Sequence, residues 1–355
     1  MLCFSCLRQY SLLIYCNSRL ALFDHPCLQR STSLIRFYEF LFFDLMNKSL
    51  LILTFFFLAK FTHGQTITDG LMMPKNTFCT GFLAGQDQWK NYWEGGLKRD
   101  NQNIGTLTSQ SITYMGVYGL TNKINVMAVL PYINNSASGG TLVSLGGIQD
   151  LTVAAKYNFL TKELGKDKFK LFATGSLSTP LTNYTPDLLP LSIGLQSTTL
   201  SSRFTANYNF NHSWYLNGSA AYTWRSNISL DRPSYYTDGQ LFLTNKVQMH
   251  DVFDFIVDAG YHKNALQAEV YFTVQNTLGG GDIRRQDMPF ASNRMNASKV
   301  GALVFYYLPW PANLAFRATG SYVVAGRNVG QSTSLMAGFM YTFYFKKDQA
   351  RNLER

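Results

Sequence analysis

Along most of the chain, apolar and polar residues alternate one by one. Ile124, Val126, Ala128, Leu130 and Tyr132 are interleaved with Asn125, Met127 and Val129, and Leu151, Val153, Ala155, Tyr157 and Phe159 with Asp150, Thr152, Ala154, Lys156 and Asn158. A period of two marks an extended strand with one apolar face. The pattern is clearest at 200–210, where Leu200, Phe204, Ala206, Tyr208 and Phe210 oppose Arg203, Thr205, Asn207 and Asn209. After a three-residue turn, Trp214, Leu216, Ala220, Tyr222 and Trp224 oppose Asn217, Ser219, Thr223 and Arg225. Strands are expected at 77–87, 105–119, 124–132, 151–159, 169–179, 200–210, 214–224, 253–261, 266–274, 300–308, 314–324 and 335–345, twelve in all. The stretch 239–247 is a reserve candidate that would raise the count toward fourteen.

The connections between these strands alternate in length. The short ones are 120–123, 160–168, 211–213, 262–264 and 309–313; the long ones are 88–105, 134–146, 180–196, 226–252 and 277–296, with 326–331 the one brief exception. A soluble sandwich has no reason to obey such an order. A transmembrane antiparallel β-barrel does, because an even number of strands joined by short periplasmic turns and longer external loops is how bacterial outer-membrane barrels are built. Aromatics add to this reading. Tyr118, Tyr157, Phe159, Phe210, Trp214, Tyr261 and Trp310 fall toward the short turns, and Tyr132, Tyr222, Trp224 and Tyr322 toward the long loops, as two interfacial girdles would require. The apolar face then looks out at lipid and the polar face looks in.

Composition agrees with this all-β reading. The 355 residues are 15% charged and 15% aromatic, with a mean hydropathy of −0.07. No run of about twenty apolar residues suggests a membrane-spanning helix. From Met46 the chain has Lys48, an apolar core over 50–59 and small Gly64, so 46–64 reads as a signal peptide, and 1–45 as a mis-extended N-terminus, the rival reading being an unusually long signal n-region. Four of the five cysteines (Cys3, Cys6, Cys16, Cys27) lie upstream; only Cys79 follows, so no disulfide is expected in the barrel. The segment 65–76 is expected either to tuck into the lumen as a small plug or to hang free. The barrel occupies 77–345, and 346–355 forms a polar C-terminal tail. The net charge of +10 is scattered rather than clustered, which argues against nucleic acid as a partner.

The candidate chemistry is a set of charges on the polar faces: Asp150, Lys156, Arg203, Arg225, Asp254, Asp258, Glu269 and Arg317. They either cross-link the interior or line a solute path. Asp150 and Lys156 share a strand face six residues apart, roughly 20 Å, and cannot meet. Each is expected to find its partner on a neighbouring strand. His212, His250 and His262 show neither metal-ligand spacing nor a nucleophile motif, so no catalytic residue, metal or cofactor is expected.

The residues YGLTNKINVMAVLPY and GGIQDLTVAAKYNF resemble the outer-membrane family of the meta pathway of phenol degradation, with its G-L-T turn, a strand ending in Pro-Tyr, a Gly-Asp start and a strand ending in Lys-Tyr. The matching positions are Gly119, Leu120, Thr121, Pro131, Tyr132, Gly147, Asp150, Lys156 and Tyr157; Gln149 stands where the family has glycine before the aspartate. The resemblance implies a transporter-like, porin-like barrel in the bacterial outer membrane, passing small hydrophobic or aromatic solutes. Its partners would be the lipid bilayer, the outer-membrane assembly machinery and that solute. The rival readings are a non-transporting structural or adhesive barrel and, third, an outer-membrane lipid hydrolase, which would need Ser and His together near the external rim.

Overall fold

The computed structural model describes residues 66–211, 213–284 and 288–345. The expected extension (1–45), signal peptide (46–64), polar tail (346–355) and His212 lie outside the described residues. Twelve strands build the barrel: β1 (Thr77–Trp89), β2 (Leu107–Gly119), β3 (Ile124–Ala137), β4 (Asp150–Leu164), β5 (Asp167–Pro180), β6 (Thr199–Phe210), β7 (Trp214–Arg225), β8 (Val252–Lys263), β9 (Leu266–Thr277), β10 (Asn296–Tyr307), β11 (Leu314–Arg327) and β12 (Thr333–Tyr344). Every strand pairs antiparallel with the next, and β1 pairs with both β2 and β12, from Thr77↔Tyr344 to Gln88↔Thr333, so the sheet closes. Closure leaves no edge, the condition for carrying a β-sheet through lipid.

The alternation read from the sequence is the alternation of faces. Phe204 and Val270 are each 62% exposed and Phe339 54%, all on the outside, while Thr205, Asn207 and Asn217 beside them are buried inside. The girdle aromatics Tyr132, Tyr157, Phe210, Trp214, Tyr222, Trp224, Trp310 and Tyr322 are likewise exposed, and Trp214 stacks edge-on to Tyr261 at 5.0 Å. Inside, the picture differs from a uniformly polar lumen. At the short-turn end, Cys79, Val117, Met127, Phe305, Tyr307, Ala315 and Met340 form a buried apolar cluster completed by Met73 and Ile67 from the segment preceding β1. That end of the barrel holds side chains where a porin holds water, so its inward positions need not be polar.

The short turns rest on residues suited to left-handed backbone. Gly165, Asn211, Asn264 and Asn313 have φ of 68°, 46°, 55° and 70°, a region that glycine enters freely and asparagine tolerates. The connection expected at 160–168 narrows to Gly165 and Lys166, because β4 and β5 keep pairing to Leu164↔Asp167 beyond a bulge at Asn158/Leu160. Backbone ladders extend into water without apolar faces, which is why the period-two signal stops before the strand does. The reserve stretch 239–247 adds no wall strand. Gln240–Phe242 pairs with Tyr235–Thr237, and Lys246–Val247 with Ile228–Ser229, all within one external loop. There Ile228, Leu230, Tyr235, Val247 and Met249 cluster with Phe290, so their apolarity serves the loop.

Placing an arginine at the outward, mid-strand position Phe204 is expected to cost about 2–4 kcal/mol, read as a shift of the urea unfolding midpoint of the lipid-reconstituted barrel.

Candidate functional site

Lys156 is the charged anchor of the segment before β1. Asp69 folds its own surroundings: Oδ1 accepts from Leu71 N at 3.0 Å, Oδ2 accepts from Thr66 N, and Asp69 N donates to Thr66 Oγ1 at 3.1 Å. This compact turn offers three oxygens to Lys156, whose Nζ donates to Asp69 Oδ1 (2.9 Å), Thr66 O (3.3 Å) and Asp69 O. An ammonium has three donors, and all are used. Lys156 is fully buried, 0% exposed, with Nζ 5.1 Å from the centre of the Phe172 ring. Gly70 packs so closely on Asn207 that a Cβ would lie 2.4 Å from Nδ2. The expectation that Asp150 and Lys156 each pair across to a neighbouring strand is therefore corrected. Lys156 meets a segment outside the sheet, and Asp150, at the external rim, accepts from the Tyr184 hydroxyl in a loop at 2.5 Å. Burial in a packed interior demanded a partner for Lys156, but the nearest carboxylate was brought by the incoming segment.

Polar rungs cross the interior beside this anchor. Asn207 Nδ2 donates to Asn217 Oδ1 and Asn217 Nδ2 to Asp258 Oδ1, each at 2.5 Å, between directly facing positions of β6, β7 and β8. Gln267 Nε2 donates to Tyr215 OH (3.2 Å), which donates to Glu269 Oε2 (2.8 Å). Arg203 bridges Asp254 at 2.5 Å and Ser219 at 2.7 Å. Asp254 is thus paired apart from Asp258 and Glu269, and the three acids form no single cluster. Arg225 sits at the external rim, where its backbone N–H donates to Asp251 Oδ1 at 3.1 Å.

Three spaces follow one another inside the barrel, the lowest against β8 to β11 and the middle one against β1 to β3, β9, β11 and β12. The lowest, about 270 Å³, is bordered by Thr66, Asp69, Asp258, Glu269, Tyr271, Arg317 and Thr319. Arg317 Nη1 lies 3.3 Å from Met115 Sδ, and its Nε has no hydrogen-bond partner among the described residues. The middle space, about 200 Å³, is lined by Gly85, Asp87, Ser109, Ser111, Tyr271, Thr319, Ser321 and Ser334. Tyr271 and Thr319 border both, their hydroxyls 3.3 Å apart. Gly301 permits this: a Cβ there would lie 2.3 Å from the Tyr271 ring, so the ring lies against the wall. The uppermost space, about 220 Å³, begins where Trp89 and Leu107 end the inward files of β1 and β2.

The loops over the mouth are tied together. Arg327 holds Asp282 through two hydrogen bonds, at 2.8 and 2.5 Å, and Asn328 donates to Asp282 Oδ1 at 2.7 Å. The Arg327 hydrogen bond and charge hold the Asp282 carboxyl below its usual range. Burial and the Asp150 carboxylate push the Tyr184 phenol upward. Among the described residues no group of His, Cys, Asp and Glu is arranged to hold a metal ion. Asp69, Tyr271 and Asn328 escaped the sequence reading. Asp69 lies in an aperiodic segment, Tyr271 is an aromatic in a polar file, and Asn328 lies in a five-residue loop; the G-R-N turn signal could have pointed to the last.

A family model described as "Putative MetA-pathway of phenol degradation" matches residues 101–339. Among solved structures, the chain is similar to the COG4313 outer membrane channel from Pseudomonas putida F1, with 15% identity and a TM-score of 0.62 over 80% of this chain and 100% of that one. It is more distantly similar to the KdgM porin in complex with disordered oligogalacturonate, with 8% identity and a TM-score of 0.40 over 74% of this chain and 99% of that one. No curated protein matches the sequence. The fold is that of the bacterial outer-membrane barrels.

Two measurements check the site. Lys156→Met leaves Asp69 buried without its cation and is expected to cost about 3–5 kcal/mol, with residues 66–76 becoming protease-sensitive; Lys156→Met combined with Asp69→Asn recovers part of the loss. A carboxyl depressed in the fold stabilises above its unfolded pKa of about 3.9 and loses that contribution as pH falls through the lower folded value. Protection factors of the amides in 278–284, the intrinsic base-catalysed rate at each pH divided by the observed exchange rate, are therefore expected to stay flat from pH 8 to 5, fall only below about pH 4, and lose that acid-side step in Asp282→Asn.

Proposed function

Since the chain belongs to the family described as "Putative MetA-pathway of phenol degradation", we propose that it is an outer-membrane channel for small hydrophobic or aromatic solutes, closed at rest by its own N-terminal segment. The observation that carries this reading is the file of three spaces running from the external mouth to Asp69. A barrel built only for adhesion or support has no need of spaces in register. The file is narrow, and its middle is lined by apolar groups such as Ile133 and Met336 together with the hydroxyls of Ser109, Ser111, Thr319, Ser321 and Ser334. Such a lining suits a neutral solute that carries little charge and one or two polar groups, since a bare ion would have to shed its water there.

Within this reading the candidate charges divide. Asp258, Glu269 and Arg317 border the lowest space and touch the passing solute; Arg203 and Asp254 brace the wall; Lys156 holds the plug; Asp150 and Arg225 stand at the rim. Transport rather than catalysis is the role proposed, in keeping with the channel to which the barrel is similar. Tyr271 and Thr319 are the constriction between the two inner spaces.

In planar bilayers, the full-length protein is expected to show small, infrequent conductance steps. Deletion of residues 66–73 and, separately, Tyr271→Ala should each raise the conductance severalfold. If the deletion folds, as judged by its faster migration on unboiled gels, and neither variant conducts or admits small solutes into liposomes, the non-transporting structural barrel replaces the channel.

A further inference from the structure

Building on the channel reading, we propose that the apolar cleft at the external mouth is a binding site for a single-ring aromatic solute, where the solute is held before it enters the lumen. The cleft measures about 220 Å³. An apolar cavity of about 150 Å³ accommodates benzene, so this one takes a ring with one or two small substituents and excludes fused ring systems of much greater bulk. Its walls are Trp89 and Tyr92, whose rings meet at 53° with centroids 6.3 Å apart, and the aliphatic side chains of Leu107, Leu189, Ile283 and Val329. Two tilted π-faces and an aliphatic floor match the offset and edge-on contacts that aromatic rings favour.

The cleft is built rather than left over. Trp93 N donates to Val329 O at 2.9 Å and Gln331 N to Asn91 O at 2.7 Å, joining the hairpin after β1 to the loop between β11 and β12. Gly330 lies so close to the Trp89 indole that a Cβ would stand 2.4 Å from Cδ2, which presses that ring into place. Asn328, which also borders the cleft, spends its whole amide on the scaffold: Oδ1 accepts from Gly95 N (2.8 Å) and Ile283 N (3.0 Å), and Nδ2 donates to Asp282 Oδ1 and Arg294 O, both at 2.7 Å. That amide has no bond left for a ligand. A sugar or amino acid seated here would leave most of its polar groups unpaired, whereas a ring would not. The position completes the case. Trp89 and Leu107 line the cleft, and the next inward residues on their strands, Asp87 and Ser109, line the middle space.

The test is a fluorine-19 NMR titration of full-length protein in micelles with 4-fluorophenol, against micelles alone. The wild type is expected to show saturable binding at one site, and Val329→Phe, which fills the cleft, to bind about tenfold more weakly or not at all. Ile283→Ala enlarges the cleft and should shift preference toward 2-naphthol. Absence of saturable binding, or equal affinity in folded Val329→Phe, overturns the proposal; if Val329→Phe does not fold, an unchanged preference in Ile283→Ala does so. Saturable binding without conductance in any variant upholds the site while refuting the channel, and conductance without saturable binding removes the site while leaving the channel.

Discussion

Hydrocarbon offers a backbone N–H nothing to donate to, and each such group left unsatisfied there costs several kcal/mol. This is the condition under which the whole molecule is arranged. The pairing of β1 with β12 over Thr77↔Tyr344 to Gln88↔Thr333 meets it by returning the last strand to the first. Once the ring is closed, every outward position is committed to lipid and every inward one to a confined interior. The side chains follow: Phe204 and Val270 outside, Asn207 and Asn217 inside. The aromatic girdles and the division into short turns and long loops are consequences of where that ring meets water on either side.

Confinement sets a second constraint, on charge. Lys156 has no exposed surface among the inward side chains, and Thr66 and Asp69 supply an oxygen to each of its three donors. Fully satisfied networks of this kind rigidify an interior, and half-satisfied ones are costly. The same logic separates the interior into a packed end, where Met73, Phe305, Tyr307 and Met340 exclude water, and an open file above it, where hydroxyls and a few charges border the spaces. Side chains pack one end of the ring; loops tied through Asn328 and Asp282 shape the other.

Most of the wall could be read from the chain because lipid imposes a strict period. Arg203 beside Phe204, or Glu269 beside Val270, declares its face at once. Strand ends were less legible, since the ladder past Phe159 runs on in water, where no period is enforced. The interior was legible only in part. Lys156 declared an inward charge, but its partner lies 87 residues away in a stretch without alternation, and no local rule links the two. Phe305 and Tyr307 sit on an inward face that the lumen would make polar had the N-terminal segment not filled it. Tyr271 was hidden for the opposite reason: an aromatic in a polar file reads as an exception until Gly301 is seen to make room for its ring.

The segment before β1 and the end of β12 meet at one place: Phe345 N donates to Asn76 O, three residues after Met73 is buried among the inward side chains. A polypeptide that packs the segment preceding its first strand inside the closed sheet faces a problem of order. Either residues 66–73 are in position while the seam is still unzipped, or they must thread afterwards through the rim at the short-turn side, past Tyr307 and Met340. The seam therefore joins more than two strands. It is the step at which that segment and the wall come together, and the timing of that step belongs to biogenesis as much as to the finished barrel.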